Sequence, residues 1–246
     1  MQNLLTFIFF ITALVLFVQM IQAKSADEII NRYNEARGGI HALNNLSTLI
    51  MEGHREMLGE NIPIRITKVQ DQLSRTDFLI NNLRGFLLIK PAEGWILLPQ
   101  RSLEPDPLDK ETILNMQEEL DIPGLLTDYY LKATKIDLQG KEIINGNNAY
   151  KIHIKYTSGI ETTYLIDCTT YLLVESRHNH YYNSNEKRIQ SKNIICYSDY
   201  RSVDGILFPN TISTLGDGLL NGKTHFTNII INSEVEPSYF NIEGHS

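Results

Sequence analysis

The spacing of hydrophobic and polar positions changes twice along the chain and divides it into three parts. Leu4–Val18 form an almost unbroken apolar run inside a leader, Met1–Ala23, that carries no charged side chain. Spanning a bilayer takes about 20 apolar residues, and Gln19 and Gln22 interrupt this run while the small Ala23 stands before Lys24. The pattern predicts a secretory signal, residues 1–23, cleaved near Ala23. A Lys or Arg ahead of the apolar run is missing, so an uncleaved anchor is the alternative. Under either reading the remainder works across a membrane from the cytoplasm.

A helical period follows. Ser25 and Glu28 make a capping box, Ile29, Ile30, Tyr33 and Ala36 recur at helical spacing, and Gly38-Gly39 ends the segment. This predicts one amphipathic helix over Ala26–Arg37. From Ser47 the period becomes two. Leu49 and Met51 oppose Glu52 and His54, Ile62, Ile64 and Ile66 alternate with polar neighbours, and strands are expected at Gln72–Ile80, Leu83–Lys90 and Gly94–Leu98. Leu103–Pro107 breaks the sheet; Ile113, Met116 and Leu120 then share a helical stripe within Leu108–Leu120, and Leu125–Leu131 suits a second short helix. Alternation returns at Tyr150–Tyr156 and continues through Ile160–Ile166, Tyr171–Tyr181, Ile189–Arg201, Ile206–Leu215 and Lys223–Asn232. Asp204-Gly205 and Asn221-Gly222 serve as hairpin turns. The expectation is a mainly β fold of about ten or eleven antiparallel strands in one curved meander, with a helical insertion at about residues 104–131. No internal repeat or flexible linker divides residues 24–246, which are read as one domain.

Composition supports this. Hydrophobic residues make up 42% and charged residues 21%, enough for a buried core, and twelve Tyr with nine Phe favour strands. The net charge of −7, without clustered Lys and Arg, excludes nucleic acid as a partner. Cys168 and Cys196 could pair in an oxidising compartment. A hairpin turning near Ser184-Asn185 instead places Cys196 opposite Leu173, too far from Cys168 for a disulfide, so both are expected to be free.

No catalytic constellation emerges. His178 and His180 share a strand face, but a stable zinc site needs further ligands, and a solvated face explains them. Of Asp199, Asp204 and Asp217 as candidate paired carboxylates, Asp204 fits the Asp-Gly turn better and Asp217 a loop between Gly216 and Gly218, and neither Ser158-Gly159 nor Ser213 lies in a nucleophile elbow. No cofactor and no metal are expected. Trp95, in Gly94-Trp95-Ile96-Leu97, suits a core anchor or the wall of an apolar cavity.

The order of elements resembles the periplasmic outer-membrane lipoprotein-sorting proteins over nearly the whole chain after the leader. Arg37-Gly38-Gly39 leads into Leu46–Gly53, like that family's first strand. Gly94-Trp95 with Pro99 resembles its tryptophan strand before a helical lid, and Gly146–Ile152 the strand after it. Tyr197–Pro209 is similar to its late hairpin, and Ser238-Tyr239-Phe240 to its close. The resemblance implies a half-open antiparallel β-barrel wrapped around an N-terminal helix and a helical lid, working in the periplasm without catalysis. Its implied partners are lipid or lipoprotein acyl chains and inner- and outer-membrane lipoprotein machinery, with the protein itself a monomer. Leu49, Met51, Ile64, Ile66, Leu87, Ile89, Trp95 and Leu97, each in an alternating run, are the expected cavity wall, and Ile113, Met116 and Leu120 the lid. One departure is the absence, in Lys68-Val69-Gln70-Asp71, of the arginine with which that family holds its lid. The alternative function is an envelope-stress sensor or protein-interaction module on the same barrel.

Overall fold

Ser25 caps the first helix as its sequence requires: its Oγ accepts the Glu28 backbone N–H at 3.1 Å, and α1 runs Ala26–Arg37. Gly38 ends it at φ 127°, where a Cβ would stand 2.6 Å from the Gly205 carbonyl oxygen, so only glycine allows the helix end to meet that turn. A second short helix, α2 (Ile40–Asn44), follows directly. The structure, a computed structural model, describes residues 24–57, 59–184, 187–216 and 221–242, and at 180–184 and 187–191 the backbone alone. The leader lies outside the described residues.

Thirteen strands form one antiparallel sheet. They are β1 (Thr48–Met57), β2 (Glu60–Val69), β3 (Leu73–Ile80), β4 (Leu83–Ile89), β5 (Gly94–Leu97), β6 (Asp106–Pro107), β7 (Ala133–Ile144), β8 (Asn147–Tyr156), β9 (Glu161–Asp167), β10 (Leu173–Ser184), β11 (Lys187–Val203), β12 (Ile206–Leu215) and β13 (Gly222–Ile231). Each strand pairs with its neighbour in sequence except across one seam, where β1 pairs with β13 and β6 and β7 are left as the two free edges. The sheet is therefore open, and the chain between its edges carries α3 (Lys110–Asn115), a 3-10 turn (Gln117–Leu120) and α4 (Tyr129–Lys132).

Successive residues of a strand face opposite sides, and one side holds the helices. There, Ile29, Ile30 and Tyr33 of α1 pack on Tyr150, Ile152 and Ile154 of β8 and on Tyr164 and Ile166 of β9. Beside them, Leu43 and Leu46 join Leu49, Met51, Ile62, Ile64, Phe208 and Phe226. Burying each such side chain contributes about 1.5–3 kcal/mol. A smaller cluster lies on the outer side, where Leu73, Phe86 and Leu88 are covered by Tyr239, Phe240 and Ile242 of the C-terminal tail.

The sequence expectation falls two strands short. β6 is only two residues long, and β7 is an edge strand with mostly exposed side chains and two register shifts against β8, so no clean alternation marks it. Because β6 pairs with β5, the insertion begins after Pro107, later than expected. Its helices are shorter than their stripes, because the second half of the first becomes a 3-10 turn and the second starts only at Tyr129. The β10–β11 hairpin is shifted as well: Ser184 pairs with Lys187, which sets Cys196 opposite Glu175 instead of Leu173. Both cysteines are free thiols. Denatured but unreduced protein should therefore take up two equivalents of a thiol reagent, and zero uptake would contradict the register.

Candidate functional site

Pairing partners across a sheet share a face, so register decides which of the expected cavity residues meet. Met51 lies opposite Ile66, Ile64 opposite Phe78, Leu87 opposite Thr76, and Ile89 opposite Ser74. Leu49, two residues before Met51, completes the set, so Leu49, Met51, Ile64, Ile66, Leu87 and Ile89 share the inner face. Trp95 and Leu97 do not. Leu87 pairs with Ile96, whereas Trp95 pairs with Leu88 and Leu97 with Phe86, which puts both on the outer face. The turn Lys90–Glu93 holds an even number of residues, closed by the Lys90 N–H donating to the Glu93 carbonyl at 2.8 Å, and this exchanges odd for even positions. Ile96 thus takes the inward place expected for Trp95.

The insertion crosses this face from wing to wing: α3 touches β10, and the 3-10 turn touches β2, β3 and β4. Asp109 caps α3 through the N–H groups of Glu111 and Thr112. Of the expected lid residues only Leu120 is buried; Ile113 and Met116 are half-buried, and their neighbour Leu114 is exposed. Polar contacts do much of the fastening. Lys68 reaches Glu119 at 2.7 Å, the Gln70 side-chain oxygen accepts the Ile122 N–H at 2.7 Å, and the Asp71 N–H donates to the Leu120 carbonyl at 3.0 Å. Arg37 donates to the Pro123 carbonyl at 2.6 Å, and Asn34 accepts from Thr127 at 3.2 Å. Farther along, the Tyr129 hydroxyl donates to Asp27 at 2.7 Å and Lys132 pairs with Asp121 at 2.6 Å.

The stretch Lys68–Asp71, which lacks the expected arginine, thus still fastens the insertion, and a buried arginine comes from α1 instead. Asn34 and Arg37 went unnoticed in the sequence because they are polar. They nevertheless extend the buried stripe of Ile30 and Tyr33 at i+4 and i+7, and that spacing is a usable signal.

Beneath the insertion the inner face turns polar. His178, expected on a solvated face, is 7% exposed. Its Nε2 stands 2.7 Å from Ser176 Oγ, its Nδ1 3.3 Å from Thr162 Oγ1 and 3.5 Å from Glu118 of the insertion. Ser176, His178 and Glu118 stand in the order of nucleophile, base and carboxylate, but Ser176 is fully buried, and its Oγ lies 3.0 Å from the Tyr197 hydroxyl. The side chain of His180 lies outside the described residues. Among the described residues no cluster of His, Cys, Asp and Glu could hold a metal.

Nearby, the Tyr156 and Tyr164 hydroxyls meet at 2.9 Å and Tyr200 donates to the Leu173 carbonyl at 2.8 Å. Burial is the main cause pushing Tyr156, Tyr164, Tyr197 and Tyr200 above the ordinary phenol range. Tyr129 is pushed to about 12, by burial first and then by its bond to Asp27. A folded-state pKa above the unfolded value adds stability that is full below about pH 10 and is lost as pH rises through the folded value. Alkaline titration should accordingly show a set of tyrosines that ionise only as the protein unfolds, between about pH 10 and 12. Smooth ionisation of every tyrosine near pH 10 with the fold intact would contradict the buried cluster.

No family model and no curated protein matches the sequence. Solved structures do. A LolA superfamily protein from Nitrosomonas europaea matches with a TM-score of 0.54 at 12% identity, over 89% of this chain and 98% of that one. A DUF1329 family protein from Desulfovibrio piger matches with a TM-score of 0.51 at 12% identity, over 85% and 95%. A putative outer membrane lipoprotein-sorting protein domain from Vibrio parahaemolyticus has a TM-score of 0.49 at 12% identity, over 87% and 95%. By its architecture this is an open antiparallel half-barrel with a helical cover. In particular, it shares the fold of the LolA superfamily protein from Nitrosomonas europaea, the fold that the resemblance in sequence order implied.

Proposed function

We propose that the protein is a non-catalytic carrier of acyl chains, exported to the periplasm, which receives lipid or lipoprotein chains on its inner face beneath the insertion. The observation that carries this reading is the manner in which the apolar face is closed. Leu49, Met51, Ile64 and Ile66 lie in or against one apolar cluster, and beside its buried Ile122 and Leu126 the segment above them is fastened by hydrogen bonds and ion pairs. Such contacts exchange with water at small net cost, so the cover can lift, and an entering chain replaces the apolar surface it exposes at about 0.8 kcal/mol per methylene. The shared fold with a LolA superfamily protein supports the same reading. A lipoprotein cargo and the membrane machinery that would load and unload it are part of the proposal.

Titration with a fluorescent fatty-acid analogue tests it. Wild-type protein should bind, and Ile66→Asp should abolish binding, because a carboxylate without a partner is costly in an apolar site. Trp95 emission should change little, since the indole faces the other side. A wild-type protein that binds no acyl analogue would overturn the carrier and leave the envelope-stress sensor or interaction module. Export has its own check: the protein from the envelope fraction should begin at or near Lys24. A chain still starting at Met1 and sedimenting with membranes would indicate an anchor.

A further inference from the structure

The side of the sheet away from the insertion carries a groove of about 630 Å³ that the carrier reading does not use. It lies over β1–β4 where β1 shifts register at Glu52/Gly53, the kind of bulge that bends a strand away from its neighbours. Tyr239 of the C-terminal tail forms part of its wall. Its volume is that of a site for one small organic molecule.

Its chemistry is more specific than its shape. Arg75 is 3% exposed, its guanidinium 4.3 Å from the Phe86 ring centre, and it donates to Asp77 at 2.9 Å and to the Asn241 carbonyl at 3.1 Å. Arg65 pairs with Glu52 at 2.8 Å and lies 5.6 Å from the Tyr239 ring. Arg84, also in the lining, is exposed and has no ion pair among the described residues. Two buried polar atoms of the lining have no hydrogen-bond partner among the described residues, the donor Nε of Arg65 and the acceptor Oδ2 of Asp77. Leaving such groups unpaired is costly. Cationic planes laid against aromatic rings also suit a further flat ring.

We infer that this outer groove is a binding site for a small anionic amphiphile, with a carboxylate or phosphate head held by Arg84 and Arg65 and a flat apolar body set against Phe86, Leu97 and Tyr239. Acyl chains under the insertion and this ligand lie on opposite faces of the sheet, although Ile64 and Phe78 of the inner cluster also border the groove.

Calorimetric titration with 1-naphthyl phosphate, 1-naphthoate, 2-naphthol and inorganic phosphate tests the assignment on the full chain. Both anionic naphthyl probes should bind with one-to-one stoichiometry, whereas neither the neutral ring nor the free anion should match them. Whichever anionic probe binds tighter identifies the head. Arg84→Ala, a change at an exposed position that leaves the fold intact, should weaken binding about tenfold, and Arg65→Gln should do the same. Leu120→Ala, which alters the cover on the other face, should leave it unchanged. Equal binding by wild type and Arg84→Ala, or no binding of either anionic probe, overturns the site. Loss on Leu120→Ala with none on Arg84→Ala would move the probe to the inner face.

Discussion

Ile152→Ala should cost about 2–5 kcal/mol of folding stability, the usual penalty for removing most of a fully buried aliphatic side chain. Ile152 is 0% exposed in the middle of β8 and belongs to the cluster that joins α1 to β8 and β9. The cavity left behind would lie between a helix and a sheet held in place by many other residues, so neither can collapse fully to fill it. Domains of this kind are stable by about 5–15 kcal/mol, and the loss would be a large part of the whole. Urea denaturation should show the midpoint falling with little change in slope. Ile143→Ala is the control. Ile143 is 70% exposed on the edge strand β7, and its removal should shift stability by no more than about 0.5 kcal/mol. Equal effects from the two changes would mean that the helix does not pack on this sheet as described.

Arg37→Met should loosen the insertion without unfolding the sheet. The guanidinium is buried, donates to the Pro123 carbonyl and to the Tyr33 hydroxyl at 3.1 Å, and ties α1 to the stretch that follows the 3-10 turn. A hydrogen bond from a charged donor contributes about 1.5–3 kcal/mol. Methionine keeps the apolar stem of the side chain and removes the donors. Amide exchange across residues 117–127 should then quicken by about tenfold to a hundredfold, the factor that corresponds to that energy. Protection in β8 and β9 should stay as it was. Unchanged exchange in the insertion would show that Lys68 and Gln70 suffice to hold it. Uniform loss of protection everywhere would make Arg37 a part of the core instead of a fastening.

Much of this architecture is legible in the sequence, for identifiable reasons. Ser25, Glu28 and Gly38 carry the limits of α1 in their own chemistry, and Ala26–Arg37 is both the expected and the observed helix. Leu49, Met51, Ile64 and Ile66 alternate over strands long enough to fix a face, and register confirms that they share one. Asp204-Gly205 lies where φ is positive at both residues, at 49° and 84°, as a tight hairpin requires. Other features depend on relations that no short window contains. The face of Trp95 is decided by the length of the Lys90–Glu93 turn, and the pattern around Trp95 is the same for either face. β7 has one strand neighbour and mostly exposed side chains, so its alternation is erased. Asn34, Arg37 and Gln70 become fastenings only once the chain between β6 and β7 is folded back across the sheet. His178 reads as an exposed strand residue until Glu118, sixty residues earlier in the chain, is brought within 3.5 Å of it.

The central claim is that the inner face receives an acyl chain, and photolabelling reads its place directly. A fatty acid bearing a diazirine near the end of its chain would be bound to the protein, irradiated, and the adducts located by mass spectrometry of the digest. The account predicts adducts at Leu49, Met51, Ile64, Ile66, Leu87 and Ile89 or on the insertion at Leu120, with loss of these adducts when unlabelled fatty acid competes. Adducts confined to Trp95, Leu97 and the tail residues Tyr239 and Phe240, or the absence of any competed adduct, would contradict it.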